Sequence, residues 1–220
     1  MHSSTSNPRC SAPCWSITDA PTICRARTVG GVAQLERILG PKPDGLDRAT
    51  ELLTRATDTL RPEGRPLYAG VRSQGAPGSP MGDLWWTGDL LREFRGDSHT
   101  VAWVGAGLDA VEMGLLTELW LGLPMGTYIR TRAWSAEQIA AGQDRLRSRG
   151  LIEGAEFTAA GRAERAAIEE ATDRQLGEVV AVLGDEADEL IDQLAGWSRS
   201  VIDAGGYPKA GAADLARRSG

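Results

Sequence analysis

The first 28 residues show no helical or strand period in their apolar positions. The segment is rich in Ser, Thr, Pro and Cys, unlike the rest of the chain, and reads as a disordered leader. A helical period begins in "VGGVAQLERILG", where Val32, Leu35 and Leu39 share one face and Gly40-Pro41 stops the run. Over residues 45–60, Leu46, Ala49, Leu53, Ala56 and Leu60 form a second apolar stripe, with Arg48, Glu51, Arg55 and Asp58 on the wet side. Four prolines and five glycines then fall between Arg61 and Asp83, no period survives, and a long loop over 61–82 is expected. After it, Asp83 is placed to cap a helix with Leu84, Trp86, Leu90, Leu91 and Phe94 on its apolar side, ending at Arg95-Gly96. Asp97 or Ser98 would cap the next helix, an apolar segment over residues 100–122 that should lie at the centre of the domain.

The most informative pattern lies between residues 124 and 175. "PMGTYIRTRAW" reads as a short helix and turn. Ser135-x-x-Gln138 is a capping box, so a helix starts at Ser135. Ile139, Leu146 and the small Ala136 and Ala140 line its inner face and Gly150 ends it. "LIEGAEFT" has two short arms about Glu153-Gly154-Ala155, the signal of a tight β-hairpin, and Thr158 caps a long helix after it. A last helix over 185–204 carries Leu190, Leu194, Trp197 and Val201 in one stripe. That stripe suits either core closure or a homodimer through the C-terminal helix. The expected fold is mainly α, a winged helix-turn-helix with a short β-hairpin wing and flanking helices. The expected organisation is a leader over 1–28, N-terminal helices over 29–60, the loop over 61–82, the winged domain with its C-terminal helix over 83–204, and a flexible tail over 205–220.

The segments "RLRSRGLIE" and "FTAAGRAERAAIEEATD" resemble MarR-type regulators at the recognition-helix end and wing. "LREFRGDSHTVAW", "GLDAVE", "TRAWSAEQIAAGQDRLRSRGLIEGAEFTAAGR" and "IEEATD" together look like an uncharacterised bacterial family of helix-turn-helix proteins. The resemblance covers about residues 44–205. Members of that family run longer, so it implies that an upstream helical half is missing here or replaced by the leader. It also implies a DNA-binding transcriptional regulator that responds to a ligand, with the 135–150 helix in the major groove and phosphate contacts on either side.

Charge sharpens that expectation and strains it. The net charge of −6 excludes a uniformly basic nucleic-acid surface. Arg130, Arg132, Arg145, Arg147 and Arg149 nevertheless stand against only Glu137 and Asp144 between residues 130 and 150, a strong local basic cluster. With Gln138 at the helix start, these five arginines are the candidate contacts to double-stranded DNA. The wing works the other way, because "IEGAEF" has two Glu and no basic residue. A winged-helix scaffold reused for a small ligand or an enzyme, with no DNA binding, is the alternative.

A second set of candidates lies in "REFRGDSH". Arg92, Arg95, Asp97 and His99 could hold a small anionic ligand. Asp97, Ser98 and His99 do not form a hydrolase triad, because three consecutive side chains point different ways. No nucleophile elbow, zinc-protease helix or phosphate-binding loop is present, so no catalytic residue is assigned. No metal or cofactor is expected. The three cysteines, Cys10, Cys14 and Cys24, fit no common zinc spacing, and an odd count argues against a disulfide-built secreted fold. The most apolar stretch is interrupted by Asp109, Glu112 and Glu118, which suits a buried helix and not a membrane span. A cytoplasmic protein is expected.

Overall fold

A computed structural model describes residues 18–207. Within them the chain forms α1 (Ala20–Leu39), α2 (Leu46–Asp58), α3 (Pro66–Gln74), α4 (Pro80–Gly105) and α5 (Ala110–Trp120). A 3₁₀ turn (Ile129–Arg132) leads to α6 (Ala136–Ser148), the hairpin β1 (Ile152–Glu153) and β2 (Glu156–Phe157), then α7 (Ala159–Arg174), α8 (Gly177–Leu183), a second 3₁₀ turn (Gly184–Glu186) and α9 (Ala187–Asp203). The architecture is a mainly helical winged helix-turn-helix with one small antiparallel hairpin.

Two apolar cores share one spine. The first gathers Leu46, Leu53, Tyr68, Met81, Phe94 and Leu190, from α2, α3, the first half of α4 and α9. The second gathers Leu108, Val111, Leu116, Ile139, Leu146 and Ile168, from α5, α6 and α7, with Trp103 of α4 packed against it. Helix α4 has 26 residues, about 39 Å of helix at 1.5 Å per residue, and reaches from one core to the other.

The winged half is punctuated by local chemistry. Ser135 accepts from the Gln138 amide at 3.2 Å while the Gln138 side chain accepts from the Ser135 amide at 2.9 Å, the expected capping box. Asp109 and Glu112 make a second one at the start of α5. Helices α4, α5 and α6 all end in a Gly-Leu pair. In each, the leucine amide reaches back to a carbonyl five residues earlier: Leu108 to Trp103, Leu123 to Glu118 and Leu151 to Leu146. Gly107, Gly122 and Gly150 supply the positive φ that this stop requires, and the leucines drop into buried positions. In the hairpin, Ile152 pairs with Phe157 and Glu153 with Glu156 across Gly154-Ala155.

The segment ahead of the winged half differs from the sequence expectation in three ways. Helix α1 begins at Ala20, inside the stretch read as leader, with Asp19 accepting from the Thr22 amide at 2.7 Å. Residues 1–17 and 208–220, most of the expected leader and tail, lie outside the described residues. The 61–82 stretch is not one loop, because Pro66 starts α3. At the first helical position a proline loses no hydrogen bond, and fully buried Tyr68 anchors the helix by donating to the Leu60 carbonyl at 3.2 Å. Finally, Gly96 stops nothing. A glycine in a helix interior costs about 1 kcal/mol against alanine, and packing of α4 on both α3 and α7 outweighs that.

The α9 stripe faces inward. Leu190 is buried and Leu194 and Trp197 pack against the first core, so these residues of the surface considered for a homodimer cover the chain's own interior.

Candidate nucleic-acid interface

Helix α6 buries Ile139, Gly142 and Leu146 and exposes Glu137, Gln138, Ala140, Ala141 and Asp144. It lies so close to α5 that a Cβ on Gly142 would sit 2.7 Å from Val111 Cγ1. The approach to α6 is held by Glu118. This fully buried α5 carboxylate accepts from the Gly126 and Ile129 amides, both at 2.6 Å, and so fixes the 3₁₀ turn that precedes α6. Burial pushes its carboxyl above the usual value, against the pull of the two amides.

The five candidate arginines do not form one cationic surface. Arg145 pairs with Asp109, and its Nε lies 3.3 Å from Glu112, both on the first turn of α5. Arg147 pairs with Asp144 at 2.8 Å and reaches the Gly154 carbonyl of the wing at 3.5 Å. Arg149 donates to the Ala106 and Gly107 carbonyls at 3.1 and 2.9 Å, closing the end of α4. These three cations clamp α6 to its neighbours. Arg130 and Arg132 are different: both are exposed and neither pairs with a carboxylate among the described residues. Arg132 stacks 4.7 Å over Tyr128.

Gln138 is also committed. Its side-chain oxygen closes the capping box, so it cannot read an adenine with oxygen and nitrogen together while the cap stands. Glu137 beside it is exposed, and its hydrogen bond with the Ser135 side chain holds its carboxyl below the usual value. Two open hollows, of about 560 and 300 Å³, flank the Asp109–Arg145 pair in the groove between α5 and α6. On the wing, Glu153 and Glu156 stand directly opposite each other and both are exposed. Sequence reasoning missed Arg162, exposed on the first turn of α7 and stacked 5.3 Å over Phe157. It also missed Glu118 and Asp109. The pattern Asp109-x-x-Glu112 was a legible cap, hidden by the expectation of a helix running through it.

The four residues expected around a ligand separate because α4 is continuous. Arg92 turns toward Asp89, at 2.9 Å, which also takes both Nη groups of Arg27 from α1, at 2.6 and 2.8 Å. Asp97 is buried and accepts from the Tyr68 amide at 2.9 Å, capping α3. Only Arg95 and His99, one turn apart, share the face toward α7. Arg95 pairs with Glu169 at 2.9 Å and His99 Nδ1 lies 3.1 Å from the Thr172 hydroxyl. That hydroxyl donates to the Ile168 carbonyl, so Nδ1 carries the proton and donates to it. Burial lowers the His99 pKa from its ordinary 6.5, so the ring is neutral near pH 7 with its Nε2 lone pair free. "RGDSH" is therefore not a helix start. It is the mid-helix crossing where α4 meets α3 and α7.

A capped α5, a turn, a half-exposed α6, a two-strand wing and a following helix define a winged helix-turn-helix domain. The chain belongs to a helix-turn-helix family, whose sequence model matches residues 9–208 and so takes in α1 as well as the winged half. No curated protein and no solved structure matches the chain. No described helix is long and apolar enough to cross a membrane.

Proposed function

We propose that the protein is a DNA-binding transcriptional regulator of MarR-like type that answers to a small ligand and works in the cytoplasm. The observation that carries this reading is the exposed outer face of α6, preceded by Arg130 and Arg132, the cations of the cluster that bind no carboxylate among the described residues. Glu137 enters the major groove with Gln138 behind it, and the two arginines meet the phosphates. A carboxylate at the tip of the reading helix accepts from cytosine N4 and tolerates phosphates poorly, so binding depends on sequence more than on charge. With about two phosphate contacts in place of five, log affinity falls with log salt at a slope near −2, from about −0.9 per contact. Fluorescence anisotropy on duplexes from the gene's own upstream region, across a salt series, measures this. No salt-sensitive binding to any duplex rejects the reading.

A second reading is favoured by the wing. Glu153 and Glu156 occupy the positions from which a wing would touch DNA, and like charges opposite each other repel a phosphate backbone. On that reading the scaffold holds a small anion and binds no DNA, and the same salt series decides between the two.

A further inference from the structure

Arg165 on α7 poses a problem that the fold leaves unsolved. Its side chain is 5% exposed, and its Nε meets no hydrogen-bond acceptor among the described residues. Glu169 Oε1 lies 2.5 Å from Nη1 and offsets the charge, which leaves Nε as the donor without a partner. Glu169 also answers to Arg95. Two guanidinium groups thus share one carboxylate, with neutral His99 beside them, and one positive charge is left over. Buried polar groups that lack partners are rare, and a buried cation with unmade hydrogen bonds most needs an occupant. The Trp120 ring that stacks 4.9 Å from the Arg165 guanidinium is itself 42% exposed, so the cluster borders solvent through a flat apolar surface.

We propose that this seam between α4 and α7 binds a small organic carboxylate with a flat apolar body. The carboxylate takes the unmade Nε hydrogen bond of Arg165, Arg95 adds its charge, and the flat body lies against the exposed part of Trp120. Helix α7 starts directly after the wing and α4 carries both cores, so an occupant drawn between them bears on the element that holds the wing. The effect on DNA rests on the regulator reading; the binding does not.

The test uses the full chain without DNA and follows the imidazole ring protons by NMR. His2 is the only other histidine and serves as the internal control. Arg95, Arg165 and Glu169 are the charged groups that face His99, with Thr172 as its neutral partner. Sodium benzoate is the probe, with acetate and inorganic phosphate as the bare oxyanions. Benzoate is expected to shift the His99 resonances and raise its titration midpoint, because a new negative charge favours the imidazolium. It should do so at lower concentration than acetate or phosphate. Arg165→Met should abolish the shift, and Arg95→Gln, at the exposed end of the seam, should weaken it even if the first variant folds poorly. An unmoved His99 with all three anions overturns the proposal. So does a shift that persists in both variants. DNA binding without an anion shift defeats this inference alone, and an anion shift without DNA binding defeats the regulator reading alone.

Discussion

Two groups of arginines, on the α6 side and in the α4–α7 seam, have opposite fates. Arg145, Arg147 and Arg149 keep much of their surface in water, yet Arg145 is held by a carboxylate, and Arg147 and Arg149 by carbonyls, of neighbouring elements. Arg165 is almost wholly removed from water, yet its Nε is unmet. An exposed, paired guanidinium contributes little to stability and little to the field that a phosphate would feel. A buried, half-met one costs free energy until something occupies it. Counting arginines along the chain therefore does not separate guanidinium groups that the fold pairs from those it leaves unmet.

The comparison can be broken most severely at Gly161, where α7 leaves the wing. A Cβ there would sit 1.8 Å from the Leu151 carbonyl oxygen, and backbone cannot yield as a side chain does. Gly161→Ala should cost about 3 kcal/mol or more in urea unfolding, beyond usual overpacking, and should disturb wing and seam together. A stability change under about 1 kcal/mol would show that α7 moves freely against the wing. Next in size, Glu118→Ala leaves the Gly126 and Ile129 amides without their acceptor, at about 1–3 kcal/mol for each donor that stays buried. It should loosen the turn before α6 with little effect on the seam, and hydrogen exchange at those amides measures it.

Asp109→Asn sharpens the α6 side. Asparagine still caps α5, so stability should change by less than about 1 kcal/mol, while Arg145 loses a charged partner. DNA affinity should rise at low salt and its salt slope steepen by up to about one unit, read by anisotropy. An unchanged slope would mean that Arg145 stays with Glu112. The smallest effect is at His99. Its depressed folded-state pKa means that the unfolded chain takes up the proton first, so its share of stability is full above 6.5 and is lost as pH falls through the folded value. His99→Gln should flatten the decline in melting temperature between pH 7 and 5. An unaltered pH profile would place His99 outside the buried cluster.

Much of the winged half was legible because its signals are local. Ser135 and Gln138 close a cap within four residues, Gly150-Leu151 stops a helix within one turn, and Glu153-Gly154-Ala155-Glu156 closes a hairpin on itself. The region before it was misread where a local signal has two meanings. Pro66 suggested a loop but stands at the one helical position that suits proline. Gly96 suggested a helix end, but the residues beside it, Asp97 and Ser98, are buried against α3 and Arg65 and hold the helix through it.

The amino-acid order alone determined where the winged elements begin and end, since caps, glycine stops and a two-residue turn depend on neighbours within about five positions. It also determined which positions carry charge. Only the tertiary structure decided what those charges do. Arg145 meets Asp109 from 36 residues away and Arg95 meets Glu169 from 74. Pairings at such distances follow from how α6 packs on α5 and α7 on α4, and no period along one helix encodes them.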